Sequence, residues 1–129
     1  MTITNLDHVV IAVNDIDAAT EVWQSNFGLP LERKGENQAL GIRQSILPIG
    51  SAFIELISPL ADSGPVADAL KNKGEGLYLI SLAVDDLDDT LADLRAKGVR
   101  VNDPAAGSQV TFISSRATNG VLVQLVERA

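Results

Sequence analysis

One apolar phrase is written twice in this chain. Leu6-Asp7-His8-Val9-Val10-Ile11-Ala12-Val13-Asn14-Asp15-Ile16-Asp17 is echoed, roughly 70 residues later, by Leu77-Tyr78-Leu79-Ile80-Ser81-Leu82-Ala83-Val84-Asp85-Asp86-Leu87-Asp88. Each copy closes on a second matched segment, Phe53-Ile54-Glu55-Leu56-Ile57 in the first and Leu122-Val123-Gln124-Leu125-Val126 in the second. Two copies of one pattern fold alike and put matched positions in matched surroundings. His8 is therefore the counterpart of Leu79, and Glu55 of Gln124.

Local patterning gives both halves the same element order. Leu6 to Val13 is a β-branched run that ends at Asn14-Asp15, a helix-capping pair. Ile16, Ala19, Trp23 and Phe27 then recur at helical spacing until Gly28 stops them, so Trp23 and Phe27 read as core. Strands are expected near Leu31 to Lys34, Ile42 to Leu47 and Ala52 to Ser58, punctuated by Gly35, Pro48-Ile49-Gly50 and Pro59. Pro65 opens a short linker helix that ends at Gly74. The second half runs from a strand at Leu77 to Val84 into a helix marked by Leu87, Leu91 and Leu94, capped by Asp85 or Asp86 and stopped by Gly98. Strands near Val99 to Val101, Gln109 to Ser114 and Val121 to Glu127 follow.

The expected fold is α+β, one domain over 1–129, built of two βαβββ modules at about 4–60 and 76–127. In such a module one amphipathic helix covers one face of the sheet, and two open faces set side by side curve a mixed sheet around a cleft. Strand alternation then sorts the side chains. His8 goes with Val10 and Ala12, opposite the wholly apolar Val9, Ile11 and Val13. Glu55 goes with Phe53 and Ile57, and Gln124 lies opposite Val123 and Leu125. Tyr78 falls on the helix side.

Composition removes several function classes. With 17 acidic against 10 basic residues the net charge is -7, which repels phosphate backbones and anionic membranes, so neither nucleic acid nor a membrane is an expected partner. The absence of cysteine removes disulfides, thiolate metal sites and cysteine nucleophiles. No glycine cluster forms a phosphate-cradling loop. The N-terminal residues carry no basic stretch leading into an apolar core, and the chain reads as a soluble cytoplasmic protein.

The quoted motifs, together with Ile54-Glu55-Leu56-Ile57-Ser58-Pro59-Leu60, Gly74-Glu75-Gly76 and Gly120-Val121-Leu122-Val123-Gln124-Leu125-Val126-Glu127, give nearly the whole chain a family likeness. It resembles the vicinal oxygen chelate (VOC) superfamily, which has the glyoxalase/bleomycin resistance/dihydroxybiphenyl dioxygenase fold, and most closely its methylmalonyl-CoA epimerase branch. That resemblance implies a cleft in which one side chain from each outer strand of each module faces a divalent ion. Transferred residue by residue, the four places are His8, Glu55, Leu79 and Gln124. Leucine offers a metal no donor, and glutamine is a neutral oxygen donor that cannot act as a base. The implied metal site is thus degenerate, with His8, Glu55 and Gln124 as ligands for Zn, Ni, Co, Mn or Fe. The epimerase branch also implies a carboxylate at the position aligned with Arg43.

Two readings of function follow from that resemblance. In the first, the protein is a glyoxalase-like or epimerase-like isomerase or lyase for a small carbonyl compound or acyl thioester. It abstracts a proton next to the carbonyl through His8 and Glu55, with or without a metal. In the second it is a metal-free small-molecule binding protein, like the bleomycin-resistance members, and Leu79 lines an apolar wall with Val10, Phe53 and Leu122. Arg43 and Arg116 are the cations best placed to meet an anionic ligand. A plainer reading of His8 and Glu55, as satisfied polar residues near a sheet edge, stands beside both. The resemblance also implies a homodimer, since members of the superfamily commonly pair modules across a dimer, which hides sheet edges that a lone chain leaves open.

Overall fold

The structure, a computed structural model, describes residues 3–128; Met1, Thr2 and Ala129, which the single-domain expectation also spans, lie outside the described residues. The elements run β1 (Ile3–Ala12), α1 (Ile16–Phe27), β2 (Arg33–Asn37), β3 (Ile42–Ile49), β4 (Ala52–Pro59), α2 (Pro65–Lys73), β5 (Gly76–Val84), α3 (Leu87–Ala96), β6 (Val110–Ile113) and β7 (Val123–Glu127). The fold class is α+β, as the repeat implies. The expected strand near Val99 to Val101 is reduced to a single bridge between Val101 and Ile113.

The chain divides into two compact units, residues 9–78 and residues 1–8 with 79–129. In the first, strand order is β2-β3-β4-β1, and β2–β3 and β3–β4 are antiparallel. Ile16, Val13, Leu47 and Leu56 form its buried core, with Ile11, Ala19, Trp23 and Ile54 packed around them. Helix α1 thus covers the face that alternation assigns to Ile11 and Val13. Phe27 departs from expectation: it is largely exposed and stacks on Trp23 at a centroid distance of 5.2 Å. Strand β3 runs through Pro48, where punctuation was expected. The β2 ladder ends opposite Ile46, so Pro48 has only β4 beside it and its missing N–H costs no bond on the other side.

In the second unit the order is β1-β5-β7-β6, with β5–β7 parallel and β6–β7 antiparallel. Val84, Leu87, Leu91, Ile113, Val123 and Leu125 form its core under α3. Leu87, Leu91 and Leu94 therefore do what their spacing suggests.

Caps close both repeated helices. Asp15 accepts from the backbone N–H groups of Asp17 and Ala18, and α1 ends at Gly28 with φ +67°, a left-handed stop that favours glycine. At α3 the cap is Asp86, whose Oδ1 accepts from the Asp89 N–H at 3.0 Å. Asp86→Ala is accordingly expected to lower unfolding free energy by about 0.5–2 kcal/mol in urea titrations, and Asp85→Ala by much less.

Candidate functional site

In the unit of residues 9–78, the face away from α1 carries a short polar row among apolar neighbours. Glu55 sits on β4 opposite Ile46 of β3, and Gln44 lies two residues along on the same face. Gln44 Nε2 donates to Glu55 Oε2 at 3.3 Å. Phe53 and Ile57 flank Glu55 on that face by strand alternation. Burial pushes the Glu55 carboxyl up from its ordinary value, against the weaker opposing field of Arg33. A carboxylate held this way is more basic than one in water.

Arg43 lies on the other face of β3. It is exposed, and its Nε meets Glu36 Oε2 at 3.4 Å, so it does not share the row of Glu55 and Gln44.

In the other unit, the β1 residues Asp7 and His8 are both buried. His8 Nδ1 lies 2.7 Å from Asp7 Oδ2. Arg128 closes on the same carboxylate with two bonds, Nε to Oδ1 at 2.9 Å and Nη2 to Oδ2 at 2.8 Å. The tail that carries Arg128 is fixed by its own backbone, whose N–H reaches the Val84 carbonyl at 3.0 Å. Arg128 holds the Asp7 carboxyl below the usual carboxylate range, with His8 adding to the effect against burial. Burial lowers the His8 pKa, opposed by Asp7.

The lowered His8 value has a sign that can be tested. The unfolded chain takes up the proton at higher pH than the native one, so this contribution to stability is complete above about 6.5 and is lost as pH falls below it. The stability difference between the native chain and His8→Gln, read from urea midpoints, is expected to shrink on acidification through that range.

Strand β5 buries Leu79, Ser81 and Ala83 on the face away from α3. Ser81 is paired with Gln124 in register, and its hydroxyl donates to Gln124 Oε1 at 2.7 Å. Leu122, half-buried, continues the Gln124 side. Arg116 lies in an exposed 3-10 turn, Ser115–Ala117. Thus Glu55, Phe53 and Arg43 belong to one unit, and His8, Leu79, Leu122, Gln124 and Arg116 to the other.

Among the described residues, no group of three or more His, Cys, Asp or Glu side chains is gathered as a metal cage. Leu79 brings no donor, and the Gln124 oxygen already accepts a hydroxyl proton. The residues present therefore do not fit the family's four-donor metal site.

Sequence reasoning passed over four residues of these clusters. Asp7 carried a signal, being the one charge on a strand face otherwise filled by Val9, Ile11 and Val13. Gln44 and Ser81 are polar residues inside apolar strands, a weaker sign. Arg128 had none, since it meets Asp7 across 121 positions of sequence.

Comparison with known proteins settles the family. The model of the glyoxalase/bleomycin resistance protein/dioxygenase superfamily matches residues 7–113. The chain belongs to that superfamily. Among relatives in it, the chain is 31% identical to the mitochondrial methylmalonyl-CoA epimerase of Dictyostelium discoideum, over 98% of this chain and 80% of that one. A methylmalonyl-CoA epimerase structure in complex with methylmalonyl-CoA and NH4+ superposes with a TM-score of 0.89 at 32% identity, covering 99% of this chain and 96% of that one. The Mycobacterium tuberculosis epimerase gives 0.86 at 36% identity, over 98% and 89%. The superfamily fold that the resemblance implies is thereby shown. No helix among the described residues is long and apolar enough to cross a membrane.

Proposed function

We propose that the chain is an epimerase-like isomerase that removes a proton from the carbon beside the carbonyl of a small acyl thioester, with Glu55 as the base. The observation that carries this reading is the placement of Glu55: a carboxylate in an apolar row, raised in basicity by burial and oriented by the Gln44 amide. The relatives named as methylmalonyl-CoA epimerases, and one bound to methylmalonyl-CoA, support the substrate class. Glu55 takes the proton and the electron pair moves onto the thioester carbonyl as an enolate; a solvent water then gives a proton to the opposite face, inverting the centre, and the hydroxide so formed takes the proton from Glu55. Because the donor set does not fit a metal cage, no step is assigned to a metal ion. The reading takes the protein to work as a cytoplasmic homodimer, and a sedimentation mass of one chain overturns the dimer.

Incubation with methylmalonyl-CoA or ethylmalonyl-CoA in heavy water tests the reaction. Deuterium is expected to enter the carbon beside the carbonyl at a rate set by enzyme concentration. Incorporation no faster than without protein, for both substrates, overturns the proposal.

The buried Leu79 favours a second reading, a small-molecule binding protein without catalysis, because it puts an alkyl wall where the family's metal-dependent members place a donor. Thermal stabilisation by acyl thioesters with no deuterium incorporation is the result that selects it.

A further inference from the structure

We propose that the groove between α1 and the start of β5 is a second ligand site, which takes a small organic cation with an ammonium head and an apolar tail. The groove belongs wholly to the unit of residues 9–78 and holds about 530 Å³ of space, within the range of small-molecule sites. Its helix wall is one stripe of α1, in which Asp15, Ala18, Ala19, Val22 and Trp23 recur at spacings of three and four. The two alanines in the middle of that stripe leave the hollow, because a methyl group fills little of the space beside the helix. Ile11 and Val13 of β1 form an apolar floor, on the face of the sheet that α1 covers. Glu55 and Gln44 lie on the opposite face, so the groove is separate from the row assigned to proton abstraction.

Charge selects the head group. Asp15 caps α1, and Glu75 Oε2 accepts the Asn14 N–H at 2.8 Å, so both carboxylates stand at the same end of the groove. Among the described residues that line it, none is Lys or Arg. The helix end offers an anion no seat, since the Asp17 and Ala18 N–H groups already bond Asp15 Oδ1 at 3.0 and 3.1 Å. Two carboxylates also outweigh the roughly half positive charge of a helix N-terminus. Backbone donors fix each carboxylate through one oxygen, and a carboxylate has about four acceptor sites, so both keep room for an ammonium. The tail is set by distance. Trp23 stands about 12 Å along the helix axis from Asp15, is half-buried, and is braced by Phe27 at 5.2 Å. Val22 beside it is 51% exposed. A phenyl group on a short alkyl chain spans that length and meets the indole as an aromatic pair.

Trp23 is the only tryptophan, so its fluorescence reads occupancy. Titration with 4-phenylbutylammonium is expected to saturate with a dissociation constant below about 1 mM. 4-Phenylbutanol and 4-phenylbutyrate, which keep the tail and change the head, are expected to bind several-fold more weakly, the anion weakest. Glu75→Gln is expected to weaken ammonium binding by about two- to fivefold, the scale of a partly exposed ion pair, and to leave the alcohol unchanged. Glu32→Gln removes the same charge outside the groove and is expected to change neither. Val22→Arg, at an exposed helix position, is expected to weaken ammonium binding by more than about tenfold. The proposal is overturned by a response to the ammonium that does not saturate, by equal affinity for the three head groups, or by Glu75→Gln binding as the native chain does. It is also overturned if Val22→Arg halves the sedimentation mass, which gives the groove to a second copy of the chain. None of these measurements reads deuterium incorporation, so this inference and the proposed reaction fail separately.

Discussion

Glu55→Gln is expected to slow deuterium incorporation into methylmalonyl-CoA by about a hundredfold to ten-thousandfold, the usual contribution of a positioned general base. Shape is nearly unchanged by the substitution, so substrate binding is expected to survive, and the loss is expected in kcat with little change in KM. The same variant is expected to be more stable than the native chain at neutral pH. Burial raises the Glu55 pKa above 4.5, so the native state binds the proton more tightly than the unfolded chain. Its ionised form is therefore a stability cost that is present in full above the folded pKa and is relieved as pH falls through it. Glutamine carries no such cost. Urea midpoints of the two proteins are expected to differ at neutral pH and to converge on acidification; a variant that is both fully active and no more stable contradicts both parts.

Leu56→Ala and Leu125→Ala are expected to lower unfolding free energy by about 2–5 kcal/mol each, through lost transfer energy and the cavity left behind. Leu56 is 0% exposed and Leu125 1%, and each sits in a different buried cluster, with Val13, Ile16 and Leu47 in one case and Val84, Leu87 and Leu91 in the other. Because the two clusters share no residue, the losses are expected to add in the double variant. Chemical denaturation followed by tryptophan fluorescence is the measurement. Trp23, packed against the Leu56 cluster, reports directly on that unit.

Element order was legible because its signals are local. The stop of α1 at Gly28 and its cap at Asp15 each depend on a few neighbouring residues, and the structure has them where spacing puts them. The alternation in β1 correctly separated His8, Val10 and Ala12 from the side chains that pack under α1. Phe27 was misread for a related reason: helical spacing gives the stripe of a residue but not the point at which the covering sheet ends. Val99 to Val101 fell short of a strand because β propensity needs a partner of adequate length, and β6 offers only Ile113 to Val101.

The polar clusters were less legible. Gln44 meets Glu55 because β3 and β4 pair in a particular register, in which Ile46 faces Glu55 and places Gln44 diagonally beside it. Arg43, one residue away, is turned to the other face by the same alternation. A register is fixed by turn geometry and packing, and a shift of one residue exchanges the two faces. Neither fact is written in the composition of a single strand.

The duplicated phrase by itself determined the element order and the sorting of apolar faces, because periodicity and capping act over a few residues, while the family came from the resemblance of particular motifs. It also determined the loss of two donor positions, since Leu79 and Gln124 are visible as letters. Only the tertiary structure decided which polar groups are joined: Arg128 to Asp7, Ser81 to Gln124 and Gln44 to Glu55. Those bonds link residues distant in sequence or set by strand register, and their strength comes from burial, which only a folded chain possesses.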